Sequence, residues 1–370
     1  MNNKILIGCY EIPGFGGANT ASYKLFERMQ RDGMDVCYIN IIEEQDVDYF
    51  KYVFGKNYGN PESLPNVYNC ILKQRLYGPH SELEEIILKL DPDVLIGKGF
   101  IAAFLMKKAA HSRKMIFITS SCTQVRQYII QGKMKSAVDL HRFSLRKSNR
   151  LKILVEKERE TVKLSDLVIT HSDMAKYFFE RFFPSYAGKI YSKAIWAAEW
   201  IYDEALNYSG SRKSFQERDI DILFIASAWS RPEKNYDLVK KITSKCKDLK
   251  IHIIGETEEK MKGIVYHGTI IKREELYSFL GRTKTVVCPS LRDSAPGILF
   301  EASAMGCNII ASKNCGNWRL CNQDLLVEPF HLTGFLKNIH LSLLKEYPDN
   351  KDYFLNSNSY QDLIDTIKIF

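Results

Sequence analysis

No run of apolar residues in this chain approaches the ~18 needed to span a bilayer, which argues against a membrane-crossing helix. Met1 to Tyr10 is too short for a secretory leader, lacks a small-residue cleavage site, and reads as a first β-strand. No pair among Cys9, Cys37, Cys70, Cys122, Cys246, Cys288, Cys307, Cys315 and Cys321 has zinc-binding spacing. Their number is odd and several fall in apolar strands, so they read as reduced core thiols of a cytoplasmic protein. There is no internal repeat and no low-complexity tract. No recognition motif or aromatic stacking signature accompanies the basic residues, which argues against nucleic acid as a partner.

What is present is the composition of a globular protein, 45% hydrophobic and 26% charged. A chain of 370 residues is long for one core and comfortable for two. The net charge of +8 is unevenly spread. Between Arg126 and Lys193 stand Lys133, Lys135, Arg142, Arg146, Lys147, Arg150, Lys152, Lys157, Arg159 and Lys163, against few acids. The plain reading is a solvated helix face. The sharper one is a peripheral contact with anionic lipid at the inner membrane face, or with an anionic acceptor.

Strand and helix patterns alternate, which predicts α/β architecture with parallel sheets. Strands are expected at Lys4–Tyr10, Val36–Ile41, Val94–Gly97, Met115–Thr119 and Leu167–Thr170. Helices are expected at Ala21–Asp32, Ser81–Leu90, Ile101–His111, about Arg142–Leu164 and Asp173–Phe183, the last capped by Ser172. Residues Tyr191 to Arg218 lack a clear period and contain the loop signal Asn207-Tyr208-Ser209-Gly210-Ser211. A second alternating series follows from Asp221. The divisions expected are a Rossmann-like domain over 1–204, another over 205–340, and C-terminal helices over 341–370 that pack back on the first.

Three motifs carry chemistry. Gly14-Phe15-Gly16-Gly17-Ala18-Asn19 follows the first strand, where glycines let the backbone approach a phosphate or sugar. Asn19 stands where a dinucleotide fingerprint needs its last glycine, so a nicotinamide or flavin site is not expected. The bland alternative is a tight loop without a ligand. Next, Ala228-Trp229-Ser230-Arg231-Pro232-Glu233-Lys234-Asn235 follows the strand expected at Asp221–Ala226. Arg231 and Lys234, just before a helix, suit a diphosphate and the charge that grows on it as it leaves. Ser227 is grouped with the substrate-binding residues, and the bland alternative is an exposed basic loop. Finally, Asp293 and Glu301 have seven residues between them where a strand hands over to a helix. Asp293 suits sugar hydroxyls and Glu301 a ribose diol, while Gly297, Ile298 and Leu299 offer amides to phosphate. The bland alternative makes Asp293 a turn former and Glu301 a satisfied acid.

Together these features resemble the retaining glycosyltransferases of family 4, the glycosyl transferases group 1. That family carries an acid-x7-acid motif followed by Ala-x-Ala-x-Gly and an apolar strand, and Asp293 to Ala311 is similar in order and spacing. Gly16-Gly17, the pair Arg231 and Lys234, Ser165 to Thr170, and His267-Gly268-Thr269 before Glu274-Glu275-Leu276 resemble further family positions. The resemblance implies the GT-B fold, with two Rossmann-like domains facing across a cleft. It implies transfer from a UDP- or GDP-linked sugar to a glycan or lipid-linked acceptor, with no metal and no resident cofactor. Arg231, Lys234 and Asp293 would be catalytic; Gly16, Gly17, Ser227, Gly297, Ile298, Leu299 and Glu301 would bind substrate. The loops Asp48–Asn69 and Cys122–Ser136 would select the acceptor. There are departures. Asp293 replaces the usual Glu, Trp229 stands where an Arg is common, and Ser120-Ser121-Cys122 replaces a His, for which His171 is the candidate substitute. The rival readings are a nucleotide-sugar-binding protein without transferase activity, and a nucleotide-sugar epimerase.

Overall fold

A strand buried on both faces must be apolar along its whole length, and such strands gather into parallel sheets covered by helices. In the computed structural model this happens twice. The structure describes residues 3–10, 17–73, 80–120, 122–130, 149–192, 197–356 and 359–369. Contacts divide the chain into two units, one of Met1–Thr123, Arg146–Trp196 and Asn358–Phe370, the other of Gln124–Leu145 and Ala197–Ser357.

The first unit is built on β1 (Ile5–Cys9), β2 (Val36–Glu43), β3 (Val67–Leu72), β4 (Val94–Lys98), β5 (Lys114–Thr119), β6 (Leu167–Thr170) and β7 (Ile190–Ser192). Their order is β3-β2-β1-β4-β5-β6-β7, with every pairing parallel. At the centre Ile5 pairs with Val36 on one side and Val94 on the other. Helix Phe100–Ala109 lies close on the sheet at Gly97, where a Cβ would come within 2.4 Å of the Ala103 backbone. Ser172 caps helix Asp173–Phe182 by accepting from the Ala175 amide at 3.3 Å. The helix Ser359–Ile369 supplies Tyr360, Leu363, Ile364 and Ile367 to the core formed by Ile5, Ile7, Phe26 and Tyr38.

The second unit contains β8 (Ile220–Ala228), β9 (Ile251–Glu256), β10 (Val265–Tyr266), β11 (Thr283–Cys288), β12 (Asn308–Ser312) and β13 (Leu326–Val327). Their order is β10-β9-β8-β11-β12-β13, again all parallel. The expected α/β architecture with two parallel sheets is therefore present. The chain order reverses between β8 and β11, and the loops leaving those two strands flank that point. In open α/β sheets this is where ligands bind.

Three expectations need correcting. Asp48–Asn69 is not a loop, because helix Val47–Tyr58 buries Phe50, Val53 and Phe54 and β3 begins at Val67. The stretch without a clear period contains β7 and the helix Ala197–Leu206, whose Ile201 and Ala205 are buried one turn apart. Two buried positions among the described residues are too few for a periodic signal. Cys122–Ser136 is helical from Thr123 to Ile130, while 131–136 lie outside the described residues.

All nine cysteines are free thiols. Among the described residues no helix is long and apolar enough to cross a membrane.

The bulge at the end of β8 depends on Gly255, whose φ is +114° and whose added Cβ would fall 1.7 Å from the Ala226 carbonyl oxygen. Gly255→Ala is expected to cost about 3 kcal/mol or more. Gly297→Ala, with open space at its Cβ, should change stability by less than about 0.5 kcal/mol. Urea midpoints of the two variants check this.

Candidate active site

The turn after β8 is shaped by Asn235, which takes a left-handed conformation (φ 60°) and donates from Nδ2 to the Pro289 carbonyl at 3.0 Å and the Pro329 carbonyl at 3.1 Å. Those bonds tie the 231–235 turn to the ends of β11 and β13. The Leu291 amide adds a bond to the Glu233 carbonyl at 2.9 Å. The turn so fixed brings Lys234 against Asp293, Nζ to Oδ2 at 2.5 Å. Burial works against both charges, and the partner overcomes it in each: Asp293 holds the Lys234 ammonium above its ordinary pKa, and Lys234 holds the Asp293 carboxyl below its own. Asp293 is fixed further by its backbone, whose amide donates to the Asn314 carbonyl at 3.1 Å and whose carbonyl accepts from Gly316 at 2.7 Å.

Arg231 lies in the same turn and donates to Glu233 Oε1 from Nη2 at 2.6 Å and from Nε at 3.0 Å. Its side chain remains 43% exposed, whereas Glu233 is buried. Burial opposes the charge on Glu233, and Arg231 holds its pKa below the usual carboxylate range. Both cations singled out in the sequence thus already hold an acid. Ser227 is half-buried near the end of β8. Trp229 belongs to the core, donating from Nε1 to the Ile254 carbonyl at 3.0 Å.

Helix Gly297–Ala304 starts at Pro296 without a side-chain cap. The Leu299 amide turns back to the Pro296 carbonyl at 3.1 Å. The Gly297 and Ile298 amides have no acceptor among the described residues, so two donors stand open where the helix dipole favours an anion. One turn further along, Glu301 is buried and accepts from Arg273 Nη1 through Oε1 at 2.6 Å. Arg273 also donates to Glu204 Oε2, from Nη2 at 2.7 Å and Nε at 2.9 Å. Burial opposes the charge on Arg273, and Glu301 is the largest influence raising its pKa.

Sequence reasoning missed Glu233, Arg273 and Glu204. For Arg273 a signal existed. It is the first residue of helix Arg273–Gly281, where the dipole disfavours a cation, so another partner had to hold it there.

In the first unit Gly16 lies outside the described residues and Gly17 opens the helix Gly17–Arg31. His171, just after β6, is buried, with Nε2 against Lys98 Nζ at the end of β4. Burial, and then Lys98, hold its pKa well below the ordinary value, so the ring is neutral at pH 7. Asp91 and Asp93 precede β4, Asp219 precedes β8 and Asp221 is the second residue of β8, so all four lie at the amino edges of their sheets, opposite the strand ends described above. Asp93 accepts from the Lys4 amide at 2.8 Å and Asp221 from the Lys250 amide at 3.0 Å. Of the basic stretch, 131–148 and Lys193 lie outside the described residues; Lys157 and Arg159 pair with Glu160 and Glu156.

Lys234→Met would leave a largely buried carboxylate unpaired, costing about 3 kcal/mol at pH 7. The folded pKa of Asp293 lies below its unfolded value. Its contribution is therefore full above about pH 5 and is lost as pH falls through the folded pKa. The gap between wild type and variant should narrow below about pH 4, which urea melts at pH 7 and pH 3.5 would register.

The fold recurs in solved structures. Sucrose-phosphate synthase from Thermosynechococcus elongatus is 14% identical, with 97% of this chain and 93% of that one covered and a TM-score of 0.64. HepE from Anabaena, solved in complex with UDP-glucose, is 12% identical over the whole of both chains, with a TM-score of 0.65. The UDP-GlcNAc 2-epimerase from Methanocaldococcus jannaschii is 14% identical over 99% of each chain, with a TM-score of 0.55. Identities this low speak for the fold alone, and the fold is shared by a synthase and an epimerase. No curated protein matches the chain by sequence. Residues 219–344 match the family described as Glycosyl transferases group 1, a span that holds Arg231, Lys234, Asp293, Gly297 and Glu301. Through that segment the chain is similar to the glycosyl transferases group 1, and its fold is that of the GT-B structures it matches.

Proposed function

We propose that this protein is a retaining glycosyltransferase that moves a sugar from a nucleoside-diphosphate sugar to a glycan or lipid-linked acceptor in surface polysaccharide synthesis. One observation carries the reading. The family segment places two cations, an uncapped helix N-terminus and two buried or half-buried acids along the carboxyl edge of a single parallel sheet, beside its topological switch point.

In this reading the diphosphate takes the open amides of Gly297 and Ile298 and the exposed guanidinium of Arg231. Fixed donors of this kind stabilise charge as it develops on the leaving group. Lys234, shared between Asp293 and the diphosphate, links sugar orientation to departure of the leaving group. Asp293 keeps Oδ1 for a sugar hydroxyl beyond the Ala295 amide it accepts at 3.3 Å. Its side chain, one methylene shorter than Glu, sets a different reach to the sugar. Glu301 accepts the ribose hydroxyls. A uridine base is favoured because a protein of the same fold, HepE, was solved with UDP-glucose. The acceptor belongs to the first unit, and of the basic residues between Arg126 and Lys193 those from Arg146 onward, which this unit contributes, draw an anionic acceptor or membrane surface toward it.

The pairing of both cations with acids suits a second reading, in which the site binds a nucleotide sugar and releases nothing. Incubation with UDP- and GDP-linked sugars, with chromatography for released nucleoside diphosphate, separates the two. Release with at least one donor is expected, and tight binding without release would favour the silent site. Arg231→Ala should lower turnover ~100-fold, the effect of removing one preorganised donor to a developing anion. Turnover within twofold of wild type would sink the role given to Arg231.

A further inference from the structure

The group 1 reading assigns Glu301 to the ribose but leaves Arg273 unexplained. A guanidinium at the first position of a helix opposes the helix dipole. It is nonetheless held from several directions. Nη1 donates to Glu301 Oε1 at 2.6 Å, and Nε and Nη2 donate to Glu204 Oε2 at 2.9 and 2.7 Å. Nη2 also reaches Tyr277 Oη at 3.0 Å, and that hydroxyl donates to Glu204 Oε2 at 3.1 Å. The guanidinium carbon lies 5.0 Å from the Tyr277 ring centroid and 5.7 Å from that of Trp200. A planar fork held in this way has one orientation.

The consequence falls on Glu301. Its Oε1 is taken by Arg273, while Oε2 receives no hydrogen bond among the described residues and is not among the fully buried unpaired atoms. Two acids share one guanidinium, so the cluster keeps a net negative charge, and an accessible oxygen of Glu301 has no donor. A long acidic side chain otherwise has rotamer freedom to lose when it binds a ligand. We infer that Arg273, anchored by Glu204, is a positioning residue that fixes one oxygen of Glu301 so that the other is presented to the ribose hydroxyls of the donor nucleotide. The inference rests on the nucleotide-sugar reading above and adds to it the residue pair that pre-organises the ribose contact.

The test is calorimetric binding of UDP, GDP and their 2′,3′-dideoxy forms to wild type, Arg273→Met and Glu204→Gln, with thermal melts to verify folding. Wild type should bind one of the two nucleotides and bind its dideoxy form more weakly. Arg273→Met should lose about tenfold in affinity for the ribonucleotide and less than twofold for the dideoxy form, and Glu204→Gln should show a smaller loss of the same kind. Should Arg273→Met fail to fold, Arg273→Lys keeps the charge without the fork and should show the same selective loss. Equal losses for both nucleotide forms would mean that Arg273 only supports the fold, and would overturn the inference while leaving the functional reading standing. Failure of wild type to bind either nucleotide would remove that reading, and this inference with it.

Discussion

A carboxylate taken out of water must be given a cation or several donors, and that constraint organises the second unit. Glu233 takes Arg231, Asp293 takes Lys234, and Glu301 and Glu204 divide Arg273. Each pair joins segments that the chain order leaves apart, apart from the local turn of Arg231 and Glu233. The Lys234 to Asp293 pair closes the loops after β8 and β11 on each other, and the Arg273 cluster joins three helices. The parallel sheet brings the strand ends together; the ion pairs decide which side chains face one another there.

The same constraint leaves the turn that carries both cations electrically balanced with the acids beside it. Arg231, Glu233, Lys234 and Asp293 sum to zero charge. On the proposed function, a diphosphate would meet cations already paired with acids, and among the described residues the uncapped amides of Gly297 and Ile298 are donors with no acceptor to give up. Binding there would exchange partners rather than fill a vacant positive pocket.

Much of the fold was legible in the sequence because burial of both faces leaves strands such as Ile5–Cys9 apolar throughout, and Thr283–Cys288 apolar over its Val286–Cys288 end. The switch-point loops were legible for the same reason, since they follow those strands. Helix Val47–Tyr58 was not, because its buried face is aromatic and its exposed Tyr49 and Tyr52 blur the period. In the site, residue types suited to diphosphate and sugar could be named, but not their partners. Glu204 and Arg273 are 69 residues apart and Arg273 and Glu301 are 28 apart, and no local pattern encodes such a meeting. Trp229 marks the opposite case, a motif position whose bulk is spent on the core under the turn.

The helix Ser359–Ile369 lies in the core of the first sheet, and Asn3 donates from Nδ2 to the Ile367 carbonyl at 3.3 Å. Residues made before the second sheet are thus covered by residues made after it. At a translation rate of about 5–20 residues per second, the first sheet waits on the order of ten seconds or more without the cover of Tyr360, Leu363, Ile364 and Ile367. The second unit, continuous through its sheet, can fold meanwhile. The order of assembly on the ribosome then runs opposite to the order of the sequence, with the half made second completed first, and the exposed first sheet is the stage at which a chaperone would be needed.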